Sequence, residues 1–152
     1  MSIKNIHFGS YYGSFYRRTQ FFMREVFNKF ELNFTDGIIL NFIHEHPGVI
    51  QDDIAHNLSL DKAAVARSLK TLEKQGFLTR DINENNQRTK IVLPSKNSIK
   101  YKKAFDKAMI LWNQQMMQDL TEQEQELVIV IMEKMKTRAI SADMEILLKE
   151  LD

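Results

Sequence analysis

The chain has no cysteine among its 152 residues, only two prolines and only five glycines. Without thiols it can form neither a disulfide scaffold nor a cysteine-based zinc site, and it has no cysteine nucleophile. It has four histidines, His7, His44, His46 and His56. His44 and His46 are two residues apart, so on a helix they point to different sides and do not form a ligand pair. There is no phosphate-cradling glycine loop and no serine motif on a strand-to-helix turn, and the carboxylates gather at helix starts, where capping explains them. These absences argue against an enzyme, a metal site or a bound cofactor. No apolar run reaches the roughly 18 residues of a membrane span. The opening MSIKNIHFGS also lacks the apolar core of a signal peptide. With no repeat or low-complexity segment, the expectation is a compact, mainly helical, cytoplasmic protein of one domain or two small lobes, with no membrane partner.

The net charge is only +1, but it is unevenly placed. Residues 61–103 hold eleven Lys or Arg against four Asp or Glu, whereas residues 104–152 hold five against ten. A basic surplus confined to one stretch is what a phosphate-facing surface requires.

That stretch has an ordered pattern. In 51–58, Ile54, Ala55 and Leu58 recur at helical spacing behind Asp52 and Asp53, acidic groups that suit a first turn. Asn57 to Leu60 can make a turn. A second helix runs from near Asp61 to Gly76, a residue suited to a left-handed C-cap. On it Val65, Leu69 and Leu72 form a narrow apolar stripe. The opposite side carries Ala63, Arg67, Lys70, Thr71 and Lys74 and no acid. Such a face is either solvated or enters a DNA major groove, which is wide enough for a helix. Two strand-like runs follow, Phe77–Ile82 and Thr89–Leu93, around the polar tip 83–88. Helix, turn, helix and hairpin is the order of a winged helix. Arg88 at the tip suits a narrow, electronegative minor groove, with Lys90 two residues on.

The run LDKAAVARSLKTLEKQGFLTR, Leu60 to Arg80, resembles the multiple-antibiotic-resistance regulator (MarR) family of winged-helix transcription factors. Leu60, Asp61, Val65, Arg67, Leu69, Leu72, Glu73, Gly76, Leu78 and Arg80 match that family's pattern. The chain departs from it at Asn86, where the family's wing usually has Asp. It departs again at Ala63 and Ala64, where Ser or Thr is common, and at Pro94 and Asn97. Alanine cannot hydrogen-bond a base, although it can touch a thymine methyl. The resemblance implies a mainly α fold with a small β-hairpin wing. Residues 32–95 would be the winged helix-turn-helix DNA-binding lobe, and 1–31 with 96–152 a helical dimerisation lobe, one MarR-type domain overall. It implies a homodimeric DNA-binding regulator, most often a repressor, on a pseudo-palindromic double-stranded operator. Its DNA-contacting residues would be Ala63, Ala64, Arg67, Lys70, Thr71, Lys74, Arg88 and Lys90. The alternative is a winged-helix protein-interaction module that has lost sequence-specific DNA binding, which the two alanines and Asn86 leave open.

The flanking segments read as helices. Residues 10–31 carry Phe15, Phe22, Val26 and Phe30 at helical spacing with further aromatics beside them, too many for one core-facing stripe. Core plus dimer interface accounts for them. Thr35 is the expected cap of the next helix, with Ile38, Ile39, Phe42 and Ile43 on its apolar side and a stop at His46-Pro47-Gly48. Val49 and Ile50 suit a short strand beside the wing. Residues 96–119 form a helix with Phe105, Ala108, Met109, Leu111, Trp112 and Met116 on its apolar side. The family's zinc sensors carry paired histidines there, and this chain has none. Thr121 caps a last helix expected to run about 30 residues, too long to bury its stripe in so small a monomer. Members of the family commonly release DNA when a small aromatic or anionic effector binds. The resemblance and the aromatic richness nominate Tyr12, Tyr16, Arg17, Phe42, Trp112 and Met116 as its walls.

Overall fold

A computed structural model describes residues 8–83 and 86–151, with side chains described for 9–82 and 89–151. The elements are α1 (Phe8–Asn28), α2 (Phe34–Glu45), β1 (Val49–Ile50), α3 (Gln51–Asn57), α4 (Lys62–Lys74), β2 (Leu78–Asn83), β3 (Asn86–Pro94), α5 (Ile99–Met117), α6 (Glu122–Ile140) and α7 (Met144–Lys149). A single 3-10 turn, Lys96–Ser98, leads into α5. The chain forms two compact units, 1–112 and 113–152. No described helix is long and apolar enough to cross a membrane.

In the first unit, local chemistry sets each boundary. Asn33, not Thr35, caps α2: its Oδ1 accepts from the Asp36 N–H at 2.8 Å, and its Nδ2 donates back to Asp36 Oδ2 at 2.7 Å. Asp61 caps α4 by accepting from the Ala64 N–H at 2.9 Å. Past the end of α4, Gly76 takes φ +77°, a left-handed turn that a side chain would strain. The three strands lie antiparallel in the order β1-β3-β2, with Val49 opposite Val92 and Arg80 opposite Val92 on the other edge. The register shifts at Ile82/Asn83.

The core is continuous across α1, α2, α3, α4, the sheet and α5. Val65, Leu69 and Leu72 are fully buried, so the apolar stripe of α4 faces inward. On α1 the buried stripe is Met23, Val26 and Phe27, while Phe15 lies 45% exposed. On α5 the buried residues are Tyr101 and Ala108, and Leu111 lies on the exposed side at 53%. Phe27 is ringed by Phe34, Tyr101 and Phe105, with centroids 5.7, 6.2 and 6.1 Å away. The Tyr101 hydroxyl donates to the Gly37 carbonyl, tying α5 to α2. Burial, then the nearby Glu45 and Asp106 carboxylates, raise the Tyr101 pKa, so this phenol stays protonated as a donor.

His44 sits at the same α2–α5 seam, stacked on Tyr101, and its Nε2 has no hydrogen-bond partner among the described residues. Burial, then the Lys102 ammonium, hold its pKa below the ordinary 6.5, against weaker opposing effects from Asp106 and the Ser98 backbone. The folded chain therefore resists a proton that the unfolded chain accepts. Stability from this residue is fully present above 6.5 and falls as pH drops through 6.5 toward the lower folded value. Thermal unfolding measured on either side of that pH should show a lower Tm on the acid side. His44→Phe should shrink the difference, and an unchanged pH profile in that variant would assign the effect elsewhere.

The second unit holds the end of α5 together with α6 and α7. Thr121 and Glu124 close a reciprocal capping box at the start of α6. Hydrogen bonds from Thr121 hold the Glu124 carboxyl below its usual range. The last helix is not continuous: it stops at Ile140, and Asp143 caps α7 by accepting from the N–H groups of Glu145 and Ile146 at 3.0 and 3.1 Å. Neither α6 nor α7 has a buried residue. Leu127, Ile131, Ile146 and Leu147 are all more than two-fifths exposed.

Candidate nucleic-acid interface

Because α4 buries Val65, Leu69 and Leu72, the helical period turns Ala63, Arg67, Lys70, Thr71 and Lys74 outward, and all five are exposed. Ala64 is half-buried at the edge of this face. Arg67, Lys70 and Lys74 make no ion pair among the described residues, and the Thr71 hydroxyl donates back to the Arg67 carbonyl at 3.1 Å. Neighbouring charges are handled differently. Lys62 pairs with Asp52 at 3.0 Å, linking the starts of α4 and α3. Arg80 Nε lies 3.2 Å from Glu73 Oε2, a Coulombic contact whose N–H is misaligned for a hydrogen bond. Lys62 and Arg80 thus each face a carboxylate, while Arg67, Lys70 and Lys74 project into solvent with none among the described residues.

Lys90 is exposed on β3. Arg88, the residue expected at the wing tip, has its side chain outside the described residues. One flank of α4, carrying Ala64, Arg67 and Thr71, borders an open cleft of about 640 Å³ whose far wall includes Arg24, Asn28 and Thr35. Nothing in the sequence signals that wall, because residues 24–35 meet α4 only through the fold.

Of the six residues nominated for an effector, five lie in the first unit. Tyr12 and Tyr16 stack along α1 with centroids 6.2 Å apart, both about half exposed. Arg17 folds back along the same helix, its Nη1 lying 3.1 Å from where a Cβ on Gly13 would stand. Trp112 stacks on Phe22 at 5.1 Å and donates from Nε1 to the Thr19 hydroxyl at 3.1 Å. Phe42 stacks on His46 at 4.3 Å. Met116 belongs to the second unit and is 41% exposed. None of the six lines the α4 cleft. Among the described residues no group of three or more His, Asp or Glu is placed to hold a metal ion.

Comparison with known proteins agrees with this geometry. The model of the MarR family matches residues 32–90. An uncharacterized HTH-type transcriptional regulator of Bacillus subtilis, YybA, is 35% identical over 72 residues, which cover 46% of this chain and 48% of the relative. The match thus spans about half the length of that relative. Among solved structures, a MarR family regulator from Listeria monocytogenes complexed with a 26mer DNA superposes with a TM-score of 0.83 at 22% identity, covering 89% of this chain and 90% of that one. The crystal structure of MarR superposes with a TM-score of 0.78 at 24% identity, covering 92% and 95%. At these identities the structural likeness establishes the fold.

Proposed function

We propose that the chain, whose residues 32–90 match the MarR family model, is a DNA-binding transcription regulator of that family working as a homodimer. Residues 32–95 are its DNA-reading lobe, and 1–31 with 96–152 its dimerisation lobe. The family's members are transcription regulators rather than enzymes. The observation that carries the reading is the outward side of α4, where Arg67, Lys70 and Lys74 stand exposed and, among the described residues, without ion pairs beside small Ala63 and Ala64. Small residues let the helix approach base edges, and the cations supply the phosphate attraction that dominates affinity. Thr71 completes this face. Lys90 holds phosphate from β3, and Arg88 reads the minor groove. A structural neighbour from Listeria monocytogenes is complexed with a 26mer DNA, which supports the reading.

The dimer rests on apolar surface. A described helix pair with no buried residue and a row of exposed Leu, Ile and Met needs a covering partner. A second copy gives a closed two-fold assembly and two α4 helices about one DNA turn apart. Selection of bound DNA from a random pool tests the whole reading. It should return a pseudo-palindrome with half-sites centred about 10 base pairs apart; an unstructured pool after selection would sink it.

Repression is relieved by a small aromatic or anionic ligand, for which Tyr12, Tyr16, Arg17, Phe42 and Trp112 in the first unit are the candidate contacts. Such a ligand must bind the DNA-released form more tightly than the DNA-bound form. Trp112, stacked on Phe22 and bonded to Thr19, is placed to report occupancy. Titration with a panel of phenols and aromatic carboxylates should change its fluorescence saturably for at least one compound and lower duplex affinity in parallel. A flat response across the panel removes the effector from the account.

A further inference from the structure

The cleft beside α4 is not explained by packing. Its walls come from α1, the start of α2 and α4, and two arginines face it, Arg24 and Arg67, both exposed. The single carboxylate in its lining, Asp36, is 4% exposed and held by Asn33 Nδ2 at 2.7 Å. The surface offered to a visitor is therefore cationic, with the amide of Asn28 and the hydroxyls of Thr35 and Thr71 beside it.

We propose that this cleft seats the sugar-phosphate backbone at one edge of the DNA site, with Arg24 as its principal phosphate contact and Asn28 beside it. The inference rests on the reading that α4 enters the major groove. A helix with its side chains is about 10–12 Å across, and the groove is about 12 Å wide. A helix that fills the groove leaves no space alongside it except where the groove wall, the phosphate ridge, must pass. The cleft borders α4 along Ala64, Arg67 and Thr71, so whatever ridge flanks the helix on that side meets Arg24 across about 640 Å³ of open space. Guanidinium is suited to this contact because its planar fork pairs two N–H groups with phosphate oxygens. Arg24 is thus a positioning contact: it fixes where α4 sits without reading a base.

The test measures affinity for a synthetic duplex across a salt series for the full-length chain and for Arg24→Ala, Arg24→Lys, Asn28→Asp and Arg67→Ala. Arg24→Ala should weaken binding about three- to tenfold, equally on a selected site and on a scrambled one. It should also flatten the log–log salt slope by about one per protomer. Arg24→Lys should restore most of the slope, and Asn28→Asp should weaken binding by repelling the phosphate. Circular dichroism confirms folding, which an exposed position should not disturb. If Arg24→Ala and Asn28→Asp bind with unchanged affinity and slope while Arg67→Ala is impaired, the cleft holds no phosphate, though α4 still reads DNA. If the wild-type chain shows no salt-dependent duplex binding, the DNA reading falls and this inference falls with it.

Discussion

Arg67→Glu should reduce duplex affinity to near the detection limit while leaving the protein folded. Arg67 is exposed midway along α4, makes no ion pair among the described residues, and faces both the outward side of the helix and the adjoining cleft. Losing an arginine contact to DNA costs about 1–3 kcal/mol, and the proposed two-fold dimer would lose it twice, so affinity should fall about 30-fold to 20,000-fold. Reversal adds a carboxylate against phosphate and lies at the upper end of that range. The side chain takes no part in the core, which α4 supplies through Val65, Leu69 and Leu72. The Tm should accordingly stay within the small range of surface substitutions. Electrophoretic mobility shift and differential scanning calorimetry on one preparation separate the two effects. Undiminished binding would show that α4 does not face the duplex.

The second large effect concerns folding. Glycine inside a helix is ordinarily replaced by alanine with a gain of about 1 kcal/mol. At Gly37 the sign should reverse. A Cβ there would stand 2.5 Å from Phe27 Cδ1 and 2.6 Å from Cγ, well inside van der Waals contact. Phe27 has no exposed surface, and Phe34, Tyr101 and Phe105 leave its ring no direction in which to swing. Either α1 or α2 must shift, and the Tyr101 bond to the Gly37 carbonyl shifts with it. Overpacking of this kind costs about 1–3 kcal/mol, which at this chain length lowers Tm by about 2–12 °C. Phe27→Leu should be less harmful in the Gly37→Ala background than alone, because a smaller side chain relieves the collision. A Tm that rises in Gly37→Ala would show that the two helices are not held this closely.

Most of the α4 face was legible before the fold because its signals are local. A helix start near Asp61, the stripe Val65, Leu69 and Leu72, and Gly76 as a stop lie within one helix and its ends. The exposed set on α4 follows from that stripe by geometry. The hairpin was legible from two alternating runs around a polar tip. The misplaced cap of α2 was also within reach. Asn33 and Asp36 have the three-residue spacing of a cap and its returning partner, whereas Thr35 is a less informative neighbour of the same helix start. The break in the last helix has a comparable signal in Asp143, which the continuing apolar stripe obscured. What stays hidden is long-range. Nothing near Gly37 says that Phe27 presses on it, and Tyr101 is 64 residues from the carbonyl it binds. The inward stripe of α1 was ambiguous because aromatics surround that helix, and only the packing selects Met23, Val26 and Phe27 over Phe15. The cleft wall at Arg24 and Asn28 belongs to the same class.

The central claim is that the exposed cations of α4 exist to meet duplex phosphate. It is tested most directly by the dependence of wild-type duplex affinity on salt. The logarithm of the binding constant should fall linearly with the logarithm of salt concentration, with a slope of about −0.9 for each phosphate neutralised. The account predicts several such contacts per dimer and a correspondingly steep line. A slope near zero, or no measurable binding at low salt, would contradict it.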